Sequence, residues 1–179
     1  MPDPIVNPRD IAALKRKDRL FGKIAGRYGD PPNWKRRPGF VSLARIILEQ
    51  QVSLESARAH FAALRACLPR FSPAAILELS DAQMRLCQIS RQKAGYLRAL
   101  SEAVLEKRLV FSELGRQDLG LTRERLTAIK GIGQWTADIY SMFCLQAKDV
   151  FPLGDIAVVS AARDLHPGFE RDDSEGLSE

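Results

Sequence analysis

The sequence predicts an all-α protein. Apolar residues recur at spacings of three and four through most of the chain, and small polar residues suited to helix N-caps stand just before those runs. No segment shows a convincing series of alternating apolar and polar residues, the mark of half-buried strands. Leu54, Ala57, Phe61, Leu64 and Leu68 predict one buried helix face. Ser72 followed by Pro73 opens a short helix through about Leu79. Ser80 caps the next, with Met84 and Cys87 inward. Ser90 precedes a longer helix in which Ala94, Leu97, Leu100 and Val104 share a face, and Thr122 is expected to cap another carrying Leu126 and Ile129. After the tight turn Lys130-Gly131-Ile132-Gly133, a second helix is expected from about Gln134 to Leu145.

The chain of 179 residues is long enough to bury one core, or two small lobes sharing one. It has no apolar run of the roughly 20 residues needed to span a bilayer, and the start, Met1-Pro2-Asp3-Pro4, lacks the layout of a secretory signal. Cys67, Cys87 and Cys144 are odd in number and widely spaced; they suggest neither a disulfide framework nor a zinc or iron–sulfur ligand set, and point to a reducing compartment. His60 and His166 show no metal-ligand spacing.

The net charge of +5 is unevenly spread. Lys15 to Arg37 holds nine Lys or Arg against two acids, whereas Asp164 to the end holds six acids against one Arg. A basic segment of this kind suits a polyanionic partner through phosphate neutralisation, although it also suits a merely solvated surface. The Pro/Gly-rich piece from Gly29 to Gly39 is the clearest linker.

The turn at Gly131 and Gly133 carries more chemistry. Two glycines one residue apart permit close backbone approaches, and the turn exposes N–H groups at the head of the following helix, where a phosphate oxygen is favoured. Carbonyls of the same turn offer a monovalent cation site. An ordinary turn between antiparallel helices is the plain alternative. Asp155 follows a Pro-Leu-Gly turn and precedes the apolar helix starting at Ile156, a placement that suits an N-cap.

Taken with their neighbours, Ile129-Lys130-Gly131-Ile132-Gly133-Gln134-Trp135-Thr136-Ala137-Asp138, then Asp149-Val150-Phe151-Pro152, then Asp155 strongly resemble the helix–hairpin–helix DNA glycosylase superfamily, most closely its 3-methyladenine DNA glycosylase II branch. Ile46-Ile47-Leu48-Glu49-Gln50-Gln51-Val52-Ser53 and Ser90-Arg91-Gln92-Lys93-Ala94-Gly95-Tyr96-Leu97 resemble two further segments of that branch, in the same order, so that the likeness covers about residues 38 to 165. The resemblance implies a two-lobed helical fold with the active-site cleft between the lobes, and hydrolysis of the bond joining a damaged, chiefly alkylated, base to its sugar. It implies double-stranded DNA containing damaged bases as partner, no membrane, and a monomer. Expected surroundings are the cytoplasm, at the nucleoid or in the nucleus according to the host.

By the same resemblance Asp155 is the catalytic carboxylate. N-glycosidic cleavage builds positive charge on the sugar, which a fixed carboxylate stabilises while it orients the attacking water. Trp135 would border the pocket for the everted base, its indole face attracting a cationic purine. Relatives with lyase activity carry a lysine near Trp135 for a Schiff base, so this chain is expected to be monofunctional. Gln51 would fill the gap left by the everted nucleotide, next to Gln50. Lys93, Lys130, Gly131, Gly133, Gln134 and Thr136 complete the expected DNA contacts, Lys93 being equally well read as a solvated helix residue. The carbonyls of Thr127, Ile129 and Ile132 are the expected place for Na+ or K+. No other cofactor is expected, and the cysteines do not suit an iron–sulfur cluster.

One feature of the pattern is missing. The family continues past the catalytic helix with a Trp-, Pro- and Arg-rich closing helix, whereas here Arg163-Asp164-Leu165 runs into Pro167-Gly168-Phe169 and an acidic stretch. The expected organisation is a basic segment, 1–38, packing with the C-terminal lobe; a helical core, 39–165, with the helix–hairpin–helix at 122–146; and an acidic, disordered tail, 166–179. Without a closing helix the apolar face carrying Ile156 and Val159 is expected to be exposed. Two rival readings stay open: a DNA-binding module without catalysis, and a glycosylase for another lesion such as uracil or hypoxanthine.

Overall fold

The computed structural model describes residues 7–165, all of whose regular elements are helical. The expected closing-helix region, the acidic tail and His166 lie outside the described residues. The described residues divide into two compact units, residues 37–152 and residues 7–36 with 153–165.

In the unit that contains the N-terminus, α1 (Pro8–Lys17) packs on α2 (Arg19–Tyr28). Asn7 caps α1 by accepting the Arg9 N–H, with Pro8 in the first turn, where its missing N–H costs nothing. Asp18 ends α1 and caps α2, accepting the Leu20 N–H at 2.7 Å. The Lys15 ammonium meets Asp30 at 2.6 Å, so part of the basic run is neutralised within its own unit.

The larger unit is built around α3 (Phe40–Glu49), whose Leu43, Ala44, Ile46, Ile47 and Leu48 are all fully buried. Each of the Leu and Ile side chains contributes about 1.5–3 kcal/mol by leaving water. Around it come α4 (Leu54–Ala66), α5 (Pro73–Glu78), α6 (Asp81–Leu86), α7 (Arg91–Leu105), the single turn α8 (Phe111–Leu114), α9 (Leu119–Thr127) and α10 (Gln134–Tyr140). α3 packs on α4, α7 and α10, while α7 also covers α5 and α6. Ser53, Ser72, Ser80 and Ser90 cap α4, α5, α6 and α7, each accepting a backbone N–H two or three residues into its helix. Ser80 and Gln83 form a reciprocal capping box. The Tyr140 hydroxyl is buried, accepts the Gly39 N–H at 2.9 Å, and so fastens the start of α3 to the end of α10. Burial, and secondarily Cys144, pushes its pKa well above the usual tyrosine range despite the Gly39 N–H.

Several expectations are corrected. Asp118, not Thr122, caps α9: its carboxylate accepts the Leu121 N–H, while Thr122 lies one turn inside, buried, donating its hydroxyl to the Leu114 carbonyl. Leu54 is 62% exposed, because it is the first residue of α4 and the apolar face turns inward only from Ala57. The second hairpin helix keeps α geometry only to Tyr140; Ser141–Leu145 form a π-helical turn that ends at Gln146 in the left-handed region, φ 57°. The cysteines are not all remote from one another: the sulfurs of Cys67 and Cys87 lie 2.8 Å apart.

Back in the first unit, α11 (Ile156–Leu165) follows Asp155. Only part of its apolar face is exposed: Ile156 is 86% accessible, whereas Val159 is buried.

Candidate nucleic-acid interface

The hairpin joins α9 to α10 through Ala128–Gly133. Ile129 and Ile132 are buried and hold the turn down, and the Ile132 N–H donates to the Ile129 carbonyl at 3.0 Å. Lys130, Gly133 and Gln134 remain exposed. The alternation follows from the sequence, since the apolar residues of the turn are drawn into the core and leave the polar ones outside. Gly133 is the N-cap of α10 and supplies no side chain to its first N–H groups.

Gly131 adopts φ 89°, in the left-handed region that disfavours any side chain. The Tyr96 ring lies against it, with the Tyr96 hydroxyl near the Gln92 amide at 2.6 Å. From the other direction Gln50, the C-cap of α3, donates through Nε2 to the Gly131 carbonyl and to Thr136 Oγ1, both at 2.9 Å. The Thr136 hydroxyl is therefore a buried internal strut, and only its backbone is left as a candidate DNA contact. α3, α7 and the hairpin meet at this point.

Gln51 follows in the left-handed region, φ 54°, and is exposed. A non-glycine residue held there stores local strain, a recurring feature of binding loops. The end of α3 is held from below by Lys93, whose ammonium donates to the Leu48 carbonyl at 2.6 Å. Burial lowers the Lys93 pKa from its usual value. Partly buried, Lys93 secures the segment that presents Gln50 and Gln51.

A second brace lies behind the hairpin. Asp138 on α10 is almost fully buried and accepts from Arg123 of α9 at 2.7 Å and from Gln134 Nε2 at 3.1 Å. The Gln134 side chain is engaged within the protein while the residue stays exposed. Trp135 is half-buried and packs against the hydrophobic core of the larger unit.

In the other unit Asp155 heads α11 as the sequence suggested. Its Oδ1 accepts the Ala157 N–H at 3.0 Å and the Val158 N–H at 3.2 Å, and its carbonyl accepts the Val159 N–H. Those bonds fix the carboxylate at the positive end of the helix. Among the described residues no group of three or more His, Cys, Asp or Glu could hold a metal ion, and no helix is long and apolar enough to cross a membrane.

Sequence reasoning found the hairpin, the Gln-Gln pair and Asp155. It missed the Gln50 bridge, the Lys93 support, the Tyr96–Gly131 packing and the Arg123–Asp138 pair. Lys93 and Tyr96 lie in a segment already singled out, but nothing in a one-dimensional pattern says which backbone they touch.

Residues 44–178 match the model of the HhH-GPD superfamily of base excision DNA repair proteins. The chain is 28% identical over 163 residues to DNA-3-methyladenine glycosylase 1 of Schizosaccharomyces pombe, covering 87% of this chain and 70% of that protein. It is similar to the solved structure of the 3-methyladenine DNA glycosylase Mag1 of that yeast in complex with abasic DNA, with TM-score 0.80, 27% identity, and coverage of 89% of this chain and 81% of the other. A DNA-3-methyladenine glycosidase from Bacillus halodurans gives TM-score 0.74 and 31% identity, with 92% of this chain and 76% of that one covered.

Proposed function

Given that this chain belongs to the HhH-GPD superfamily of base excision DNA repair proteins, we propose that it is a monofunctional DNA glycosylase that excises alkylated purines, 3-methyladenine among them, from duplex DNA. The observation that carries the reading is the double hydrogen bond of Gln50. It joins the loop bearing Gln51 to the glycine hairpin in one block, so that gap filling and phosphate gripping act on the duplex in fixed register.

In this reading the backbone N–H groups at Gly133 to Thr136, with Lys130, take a phosphate, and Gln51 occupies the space of the everted nucleotide. Trp135 attracts the cationic purine through its indole face. Alkylation of a ring nitrogen already makes the base a good leaving group, so that a general acid is not needed. The Asp155 carboxylate stabilises positive charge developing at C1′ and orients the water that attacks there, taking up its proton. The chain carries Trp135 where a Schiff-base lysine would be expected in a lyase, which supports hydrolysis alone.

A monovalent cation on the carbonyls of Thr127, Ile129 and Ile132 belongs to the same proposal. Neutral carbonyl oxygens suit Na+ or K+, and the Ile129 carbonyl, already accepting the Ile132 N–H, keeps one lone pair for it. When bound, the ion would add positive charge beside the phosphate site.

The test is release of free base. Incubated with methylated duplex DNA, the protein should liberate 3-methyladenine and leave the strand uncut, and Asp155→Asn should lower the rate about 100-fold or more. Asn caps a helix as well as Asp, so this variant keeps the fold. Undiminished release by Asp155→Asn refutes the mechanism; strand cleavage, or borohydride trapping of a covalent complex, refutes monofunctionality.

A further inference from the structure

Cys67 and Cys87 are 20 residues apart, yet their sulfurs lie 2.8 Å from each other. Each ends a helix, Cys67 as the C-cap of α4 and Cys87 as that of α6. Cys67 is exposed and Cys87 buried, so a small oxidant reaches the pair from one side only. We propose that Cys67 and Cys87 are a site of reversible oxidation, closing to an intramolecular disulfide that staples the end of α4 to the corner between α6 and α7.

That corner is a tight turn between two helices. After Cys87, Gln88 takes φ 59°, and the Ile89 N–H returns to the Met84 carbonyl at 3.0 Å. Such a turn is normally made by glycine, and a glutamine there costs about 1 kcal/mol. Ser90 caps α7 immediately afterwards. Burial, then the hydrogen bond and the charge of Cys67, push the Cys87 thiol up to about 11, so it stays protonated at neutral pH and Cys67 meets the oxidant first.

The oxidant is a peroxide. The Cys67 thiolate attacks one oxygen of hydrogen peroxide, breaking the O–O bond and releasing hydroxide, and becomes a sulfenic acid. The Cys87 sulfur then attacks the Cys67 sulfur; the S–O bond breaks, the S–S bond forms, and the displaced hydroxide leaves as water with the Cys87 proton. The net change is two thiols and one peroxide to one disulfide and two waters. An external dithiol reverses it. Cys144 is buried and takes no part.

The experiment uses the full chain, reduced, then treated with hydrogen peroxide and quenched. Mass spectrometry should show the loss of two hydrogens and a peptide cross-link between Cys67 and Cys87, both undone by dithiothreitol. Tm should rise by about 5–10 °C, as expected for closing a loop of this length in a chain of this size. Cys67→Ser changes an exposed residue and so spares the fold; it should abolish both the cross-link and the rise. Cys87→Ser should leave a Cys67 sulfenic acid that a cyclic dione captures. Oxidation that runs to the Cys67 sulfinic acid in the unsubstituted chain, a disulfide between two chains, or a Tm rise that survives Cys67→Ser would each overturn the proposal.

Discussion

The Tyr96 ring fills the space that a side chain at Gly131 would need: a Cβ built on Gly131 falls 2.1 Å from Tyr96 Cγ and 2.2 Å from Cδ1. Both the packing and the backbone, at φ 89°, therefore demand glycine. Gly131→Ala should destabilise the protein by about 2–4 kcal/mol, from left-handed strain and overpacking together. Urea unfolding checks this. Tyr96→Ala in the same chain should recover the steric share and leave the strain, giving a measurable coupling between the two sites. Strict additivity would mean that the ring moves aside at no cost.

Gln50 satisfies the Gly131 carbonyl and the Thr136 hydroxyl at once, and the Thr136 hydroxyl is buried. Gln50→Leu keeps the volume and strands both acceptors, at a cost of about 1–3 kcal/mol. Adding Thr136→Val removes one stranded group, so the double variant should be more stable than Gln50→Leu alone. A double variant less stable than either single one would show that the hydrogen bonds contribute little. The DNA affinity of Gln50→Leu should fall with its stability, since the loop and hairpin then lose their register.

The sequence makes Gly131 and Gly133 look equivalent, and it makes Gln50 and Gln51 look like a pair. Helix periods made α4 to α7 legible, because burial on one face imprints a spacing, and serine caps marked their starts. Long-range polar contacts leave no such imprint. Lys93 reaching the Leu48 carbonyl, or Arg123 reaching Asp138, depends on where two helices cross, which no local pattern encodes. Thr122 misled for a related reason: Thr and Asp both cap helices, and only the fold shows that Asp118 does so while Thr122 turns inward. The cysteine spacing misled because two helix ends far apart in sequence meet in space.

Gln51 is held at φ 54° by its neighbours and not by its own preference. Gln51→Gly should therefore stabilise the protein by about 0.5–1 kcal/mol, since glycine accepts the left-handed region freely. If the side chain fills the gap beside an everted nucleotide, excision from duplex DNA should fall about 10-fold, equivalent to about 1.4 kcal/mol of transition-state stabilisation. Thermal unfolding and single-turnover release measure the two effects in one preparation. Stability and activity rising together would deny Gln51 that role.

Gly133 differs from Gly131 in both respects. Its φ is −91°, and a Cβ there meets nothing within 4 Å, so the fold does not require glycine. As the N-cap of α10 it occupies a position where aspartate is preferred. Gly133→Asp should consequently leave stability unchanged or raise it by a few tenths of a kcal/mol. Yet the new carboxylate would compete with a DNA phosphate for the first N–H groups of α10, and affinity should drop about 10- to 100-fold for damaged and undamaged duplexes alike. Gly133→Asn caps the helix without the charge and should bind much as the unsubstituted chain does. A gel-shift series at low salt distinguishes the variants. If Gly133→Asp binds as tightly as Gly133→Asn, no phosphate sits on this hairpin. If both lose affinity equally, bulk and not charge is what the turn excludes.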